Sequence, residues 1–333
     1  MESGSIEVLV RPALWACMLL ASVGSLPARG SPEGYPSSHV AYWLRELLRL
    51  GYRVIGTGEP GGPRTYGMVE RFTQDLGGIE LRQVGASFKS FLVGSVTAPE
   101  EPGKTNEVVE NRLLRGLVDR PGVLLKATVT DPVTIGLELL ANSPGAARAH
   151  PRLFWEVTEA LRPIVEELSR LVDIVQFDCP SHLYQPTRAP WQYVNALVEH
   201  MGGKPSWMHL DGPIARNWPS LLSEYRVQTL VINLFGAEEE ENLKILAERG
   251  RELREAGKRL GASVVKSQIR DELSEVESIS VIAARLRRLD AALGGDRSLV
   301  EALLPGCGLR LLPHAAPVIL GLLPRAAEEA GWL

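Results

Sequence analysis

From Asn106 to the end of the chain, apolar runs of four to eight residues alternate with amphipathic stretches, and this alternation constrains the fold more than any other feature. Helical spacing covers 106–119, 132–141, 152–171, 191–200, 214–224, 238–257, 274–293 and 313–330, with strand-like runs at Val123–Val129, Val172–Phe177, Pro205–Leu210, Val227–Leu234, Ala262–Val265 and Leu299–Leu304. Two earlier runs, Leu19–Val23 and Tyr52–Thr57, bring the strands to eight. Strands separated by helices pair in parallel, because a parallel connection must cross back over the sheet. Eight such units in 333 residues fit a closed (β/α)8 TIM barrel better than an open sheet. No Gly-x-Gly-x-x-Gly opens a helix after a strand, so a dinucleotide-binding sheet lacks its fingerprint. Ile79–Val84 and Phe88–Val96 alternate as a β-hairpin. The expectation is a single barrel over 1–333 with a hairpin excursion at about 79–97.

A barrel of this kind carries its chemistry at the carboxyl ends of its strands. Those ends hold Ser25, Glu59, Asp131, Asp178 with Cys179, His209 with Asp211, Asn233, Gln268 and Cys307. Asp131 precedes Pro132 and reads as a helix cap, and Ser25 as a turn residue. Asp178 directly follows the buried-type run Val172–Phe177, where a core meets a pocket. His209 and Asp211 stand two residues apart and leave a strand on the same side. If the Pro305-Gly306-Cys307-Gly308 turn closes over them, His209, Asp211 and Cys307 form a nitrogen, oxygen and sulfur donor set of the type zinc accepts.

Composition narrows the partners. A net charge of −4 with scattered basic residues gives no long-range attraction to nucleic acid or to an anionic membrane, so a small molecule or a protein is the expected partner. Three widely spaced cysteines, Cys17, Cys179 and Cys307, cannot build a disulfide framework and suit a cytoplasmic location. The apolar run at 14–23 imitates a signal peptide, but Glu2 and Glu7 precede it, it is too short to span a bilayer, and it ends in a Gly-Ser-Leu-Pro turn. It reads as the first core strand.

The strand ends, in order, resemble the catalytic barrel of the cobalamin-independent methionine synthase family, including its short archaeal relatives. The resemblance runs from about Ser22 to about Ala327 and rests on Val23-Gly24-Ser25-Leu26-Pro27, Gly58-Glu59-Pro60 followed by Met68-Val69-Glu70-Arg71-Phe72, Thr130-Asp131-Pro132-Val133-Thr134, Gln176-Phe177-Asp178-Cys179-Pro180 and Cys307-Gly308-Leu309-Arg310. It implies methyl transfer to a thiol such as homocysteine, with zinc holding the sulfur as thiolate. By resemblance, Ser25, Glu59 and Asp178 bind the amino acid, and His209 and Cys307 bind the metal. An alkyl thiol with a pKa near 8.5 is only a few per cent ionised at neutral pH, so a metal-bound form is what the chemistry needs.

The chain departs from the family at the metal. The family's His-x-Cys is His209-Leu210-Asp211 here, its glutamate ligand falls on Asn233, and its proton-carrying histidine falls on or near Gln268. Two cysteines and a glutamate bring a charge of −3, whereas Asp211 and Cys307 bring −2. Cys179, in place of a glutamate, is a candidate substitute ligand. The leading expectation is a methionine-synthase-like methyltransferase, with zinc as its metal and a folate, another pterin or a corrinoid protein as methyl donor. The alternatives are a non-catalytic or regulatory paralogue and a barrel lyase of the uroporphyrinogen decarboxylase type, which would use arginines instead of a metal.

Overall fold

The computed structural model describes residues 18–22, 26–27, 36–56, 67–85, 87–118, 120–147, 150–183 and 189–333. Eight parallel strands form the barrel: β1 (Leu19–Leu20), β2 (Val54–Ile55), β5 (Leu124–Thr130), β6 (Ile174–Asp178), β7 (Ser206–Leu210), β8 (Thr229–Asn233), β9 (Arg259–Val265) and β10 (Val300–Pro305). Their order is β1-β10-β9-β8-β7-β6-β5-β2. A parallel bridge from Ala21 to Val54 joins the two ends, with Ser22 N donating to Val54 O at 2.8 Å and Arg53 N to Leu20 O at 2.9 Å. Closure leaves no sheet edge and directs the strand ends to one mouth.

Period-two alternation sorts the side chains of each strand. Ile174, Trp207 and Val231 pack inside the barrel with Leu19, Ala21, Val54, Ala302 and Leu304, while Val175, Phe177, Met208, Leu210, Leu230 and Ile232 face the helices. The inward series therefore continues as Ile174, Gln176, Asp178 on β6, as Trp207, His209 on β7, and as Val231, Asn233 on β8. Register places Asp178 beside His209 and Gln176 beside Trp207. The same alternation buries apolar layers and aims polar side chains at the mouth.

Strands β3 (Gly77–Val84) and β4 (Ser87–Thr97) pair antiparallel as a separate two-stranded sheet. The hairpin lies against the helices Pro132–Asn142 and Leu153–Leu171: Leu92 N donates to Ser143 Oγ at 3.0 Å, Val96 N to Glu156 Oε2 at 3.0 Å, and Lys89 Nζ to Glu138 Oε1 at 2.8 Å. Gly78 makes the pairing possible, since its φ of +76° and its approach to the Ser95 carbonyl exclude a side chain.

Several boundaries differ from the sequence expectation for physical reasons. The first helix spans Ser37–Arg49 after Pro36, and no side chain caps it. The stretch 238–257 divides at Gly250 into the helices Glu239–Arg249 and Arg251–Glu255, at the residue with the weakest helical preference after proline. Strand β9 begins at Arg259 instead of Ala262. Buried Lys258 Nζ donates to Tyr225 O at 2.7 Å and Val227 O at 2.6 Å, so a basic residue leads into the strand despite its polarity. Only Leu19 and Leu20 of the first apolar run form a described strand. Among the described residues, no helix is long and apolar enough to cross a membrane.

Candidate metal and acceptor site

His209, Asp211 and Cys307 meet at the barrel mouth, each with a ligand atom within 4.8 Å of the other two. His209 comes from the end of β7, and Asp211 follows one residue beyond it on the same side. Cys307 arrives on the turn after β10. That turn is fixed by Gly306 N donating to Val265 O at 2.8 Å and by Ser267 Oγ donating to the Cys307 carbonyl. A Cβ on Gly306 would lie 2.6 Å from the Phe235 ring, so only glycine lets the turn pack this closely.

The distances within the cluster suit a small ion. His209 Nε2 lies 3.6 Å from Asp211 Oδ1, and Cys307 Sγ lies 3.4 Å from the same oxygen. Zinc bonds of about 2.0 to 2.3 Å in a tetrahedron separate ligand atoms by about 3.3 to 3.8 Å. The residues present therefore fit zinc as three ligands of mixed type, with a fourth position open. Asn233, where the family places a glutamate, donates from Nδ2 to Asp211 Oδ1 at 2.7 Å, and its Oδ1 lies 3.4 Å from His209 Nε2. It steers the carboxylate without adding charge. The opposite edge of the histidine ring faces Asp178, with Nδ1 3.7 Å from Oδ1. With a metal bound at Nε2, a carboxylate there would hold the proton on Nδ1.

Asp178 is held from behind. Gln176 Nε2 donates to its Oδ1 at 2.7 Å. Burial pushes its carboxyl above the ordinary value, and the His209 ring, the Gln176 amide and the Lys126 ammonium oppose that shift. A carboxylate poised this way gains from a cation in the pocket. Ser25 and Glu59, the other expected amino-acid-binding residues, lie outside the described residues. Gln268 is exposed beside the mouth, with its Oε1 3.6 Å from where a Cβ on Gly236 would stand.

Cys179 does not join the His209 group. It is fully buried in a second cluster with Asp131 and His182, where burial and the Asp131 and Asp178 carboxylates drive its thiol well above the usual value. Asp131 caps the helix Pro132–Asn142 as its sequence context suggests, accepting from Val133 N at 2.8 Å, Thr134 N at 3.2 Å and Thr134 Oγ1. It also accepts from His182 Nε2 at 2.7 Å, and His182 Nδ1 meets Tyr225 Oη at 2.7 Å. With Asp131 and His182 so fully engaged, the cluster is a structural clamp. Replacing Asp131 by alanine removes a cap and strands a buried imidazole, so stability should fall by about 3 kcal/mol or more, as read by urea unfolding. A loss under about 1 kcal/mol would refute the clamp.

Sequence reasoning passed over Lys126 and gave Gln176 no role of its own. Lys126 is 1% exposed at the middle of the barrel, and burial lowers its pKa to about 7. A lysine interrupting the apolar run at 123–129 was the available signal.

No family model matches the chain. The methionine synthase of Methanocaldococcus jannaschii is 25% identical over 275 residues, which cover 81% of this chain and 81% of that protein. A B12-independent methionine synthase from Shewanella sp. W3-18-1, solved in complex with selenomethionine, superposes with a TM-score of 0.67 over 95% of this chain and 98% of that one, at 17% identity. The structural likeness supports the barrel, and the sequence similarity extends over most of both chains. The chain is thus similar to a methionine synthase in sequence and shares its barrel fold with a B12-independent methionine synthase.

Proposed function

We propose that the protein is a methyltransferase whose acceptor is an amino-acid thiol such as homocysteine, held at a zinc ion bound by His209, Asp211 and Cys307. The observation that carries this reading is the convergence of those three ligand atoms within 4.8 Å at the mouth of the barrel. Bound there, zinc would keep the acceptor's sulfur in its nucleophilic thiolate form. The chain's own residues supply the rest. Asp178 attracts the acceptor's ammonium group and orients His209; Asn233 holds Asp211; Ser25 and Glu59 complete the amino-acid site. The methyl donor is a methylated folate, another pterin or a corrinoid protein.

Asn233 also gives the non-catalytic alternative its specific support, because its bond to Asp211 satisfies the carboxylate in a way that needs no ion. Protein purified without chelator or metal-binding tag separates the two. Elemental analysis is expected to find about one zinc per chain, and homocysteine is expected to bind with proton release and to bind more weakly to Asp178→Asn and Glu59→Gln. A chain that neither carries zinc nor takes it up at micromolar concentration is a non-catalytic paralogue.

A further inference from the structure

Lys126 on β5 is the buried basic residue of the barrel interior that the proposed chemistry leaves without a task. Its Nζ donates to Gln176 Oε1 at 2.6 Å and to Ser22 O at 2.8 Å, and it lies 5.4 Å from the centroid of the Trp207 ring. A lysine has only donors to offer, so it selects the oxygen end of the glutamine amide and turns the nitrogen end the other way. That nitrogen is the one that donates to Asp178 Oδ1.

The second bond reaches Ser22, just beyond β1. Ser22 stands three residues before Ser25, and its Oγ accepts from Gly56 N at 2.8 Å; Gly56 stands three residues before Glu59. A Cβ on Gly56 would lie 2.6 Å from the Lys126 carbonyl, so the strands at this point are packed backbone to backbone. One side chain thus touches both Ser22 and Gln176, and Ser22 is bonded in turn to Gly56.

We propose that Lys126 is a positioning residue for the acceptor: it fixes the Gln176 amide, and through it Asp178, so that the carboxylate meeting the amino acid's ammonium keeps one orientation. The proposal rests on the acceptor reading above. It predicts a selective defect. A purely structural lysine would weaken all ligands together or none, whereas a lysine acting through Gln176 and Asp178 should affect only acceptors that carry an ammonium group.

The test compares homocysteine with 4-mercaptobutanoate, which keeps the thiol and the carboxylate but lacks the amine. In Lys126→Met, calorimetry should show homocysteine affinity reduced by about tenfold or more, the size of effect expected when a charge-assisted hydrogen bond is misdirected, with 4-mercaptobutanoate affinity and zinc content unchanged. NMR of protein labelled with 15N-glutamine should show faster exchange of the Gln176 side-chain amide protons in that variant. Gln176→Glu keeps a partner for Lys126 but removes the donor facing Asp178, so it should show the same selective loss, and it decides the matter if Lys126→Met does not fold. Wild-type discrimination between the two thiols in either folded variant, or unchanged Gln176 protection in Lys126→Met, overturns the proposal. Wild-type protein that binds both thiols equally overturns the acceptor reading instead, and the exchange measurement then shows separately whether Lys126 holds Gln176.

Discussion

Replacing Cys307 by serine is expected to lower zinc affinity by on the order of 100-fold or more while leaving the fold intact. The thiolate is the soft donor of the set and one of its two negative charges, and a serine hydroxyl stays protonated under conditions where a zinc-bound thiol does not. The turn itself does not depend on sulfur. It is held by Gly306 N on Val265 O, by Ser267 Oγ on the residue-307 carbonyl, and by the tight contact of Gly306 with Phe235, all of which serine preserves. A competition titration against a chromophoric chelator, with a thermal melt of the metal-free proteins as control, measures the effect. Equal zinc affinity in the two proteins would remove Cys307 from the ligand set and leave His209 and Asp211 too few to hold the ion.

The opposite experiment restores what the sequence has lost. Asp211→Cys combined with Asn233→Glu returns the donor set to one histidine, two thiolates and a carboxylate, and raises its charge from −2 to −3. Zinc affinity should rise by about 100-fold, since softness and charge both move toward what zinc prefers. The geometry permits it because Asn233 Oδ1 already stands 3.4 Å from His209 Nε2, and the longer glutamate extends further along the same line. Asn233→Glu alone is informative in another way. It exchanges the amide that donates to Asp211 for a second carboxylate, so the metal-free protein should lose stability through like-charge repulsion, and zinc should recover it. Chelator titration of the double variant and urea unfolding of the single variant with and without zinc read these outcomes. A double variant that binds zinc no better than the wild type would place residues 211 and 233 outside the ion's reach.

The barrel itself was legible because its signal is local. Period-two burial and period-3.6 amphipathicity are written into each short stretch of chain, and eight repetitions leave one economical way to bury them all. Asp131 was legible as a cap for the same reason: the cap and the amides it accepts from are neighbours in sequence. Where burial is polar the local signal fails, and so Lys258 hid the start of β9.

The site divides along the same line. His209 and Asp211 are two residues apart on one strand, so their common direction follows from the pleat; Asp178 follows from an acid ending a buried run. Their convergence with Cys307, almost a hundred residues away, was an expectation conditional on closure, and only the packed sheet brings β7 and the turn after β10 to one mouth. The sequence offered Cys179 as a substitute ligand, yet tertiary packing commits it to the buried cluster of Asp131 and His182. Sequence alone could not decide between these two cysteines, because a residue's neighbour across a barrel depends on strand register and on which face of the strand it takes. It equally could not see that the Lys126 ammonium reaches both Ser22 and Gln176, since hydrogen bonds between strands are made by proximity in space and leave no spacing rule in the chain. The sequence determined the barrel; the folded sheet decided which side chains share a partner, because that is fixed by the closure of the sheet and not by any single stretch of it.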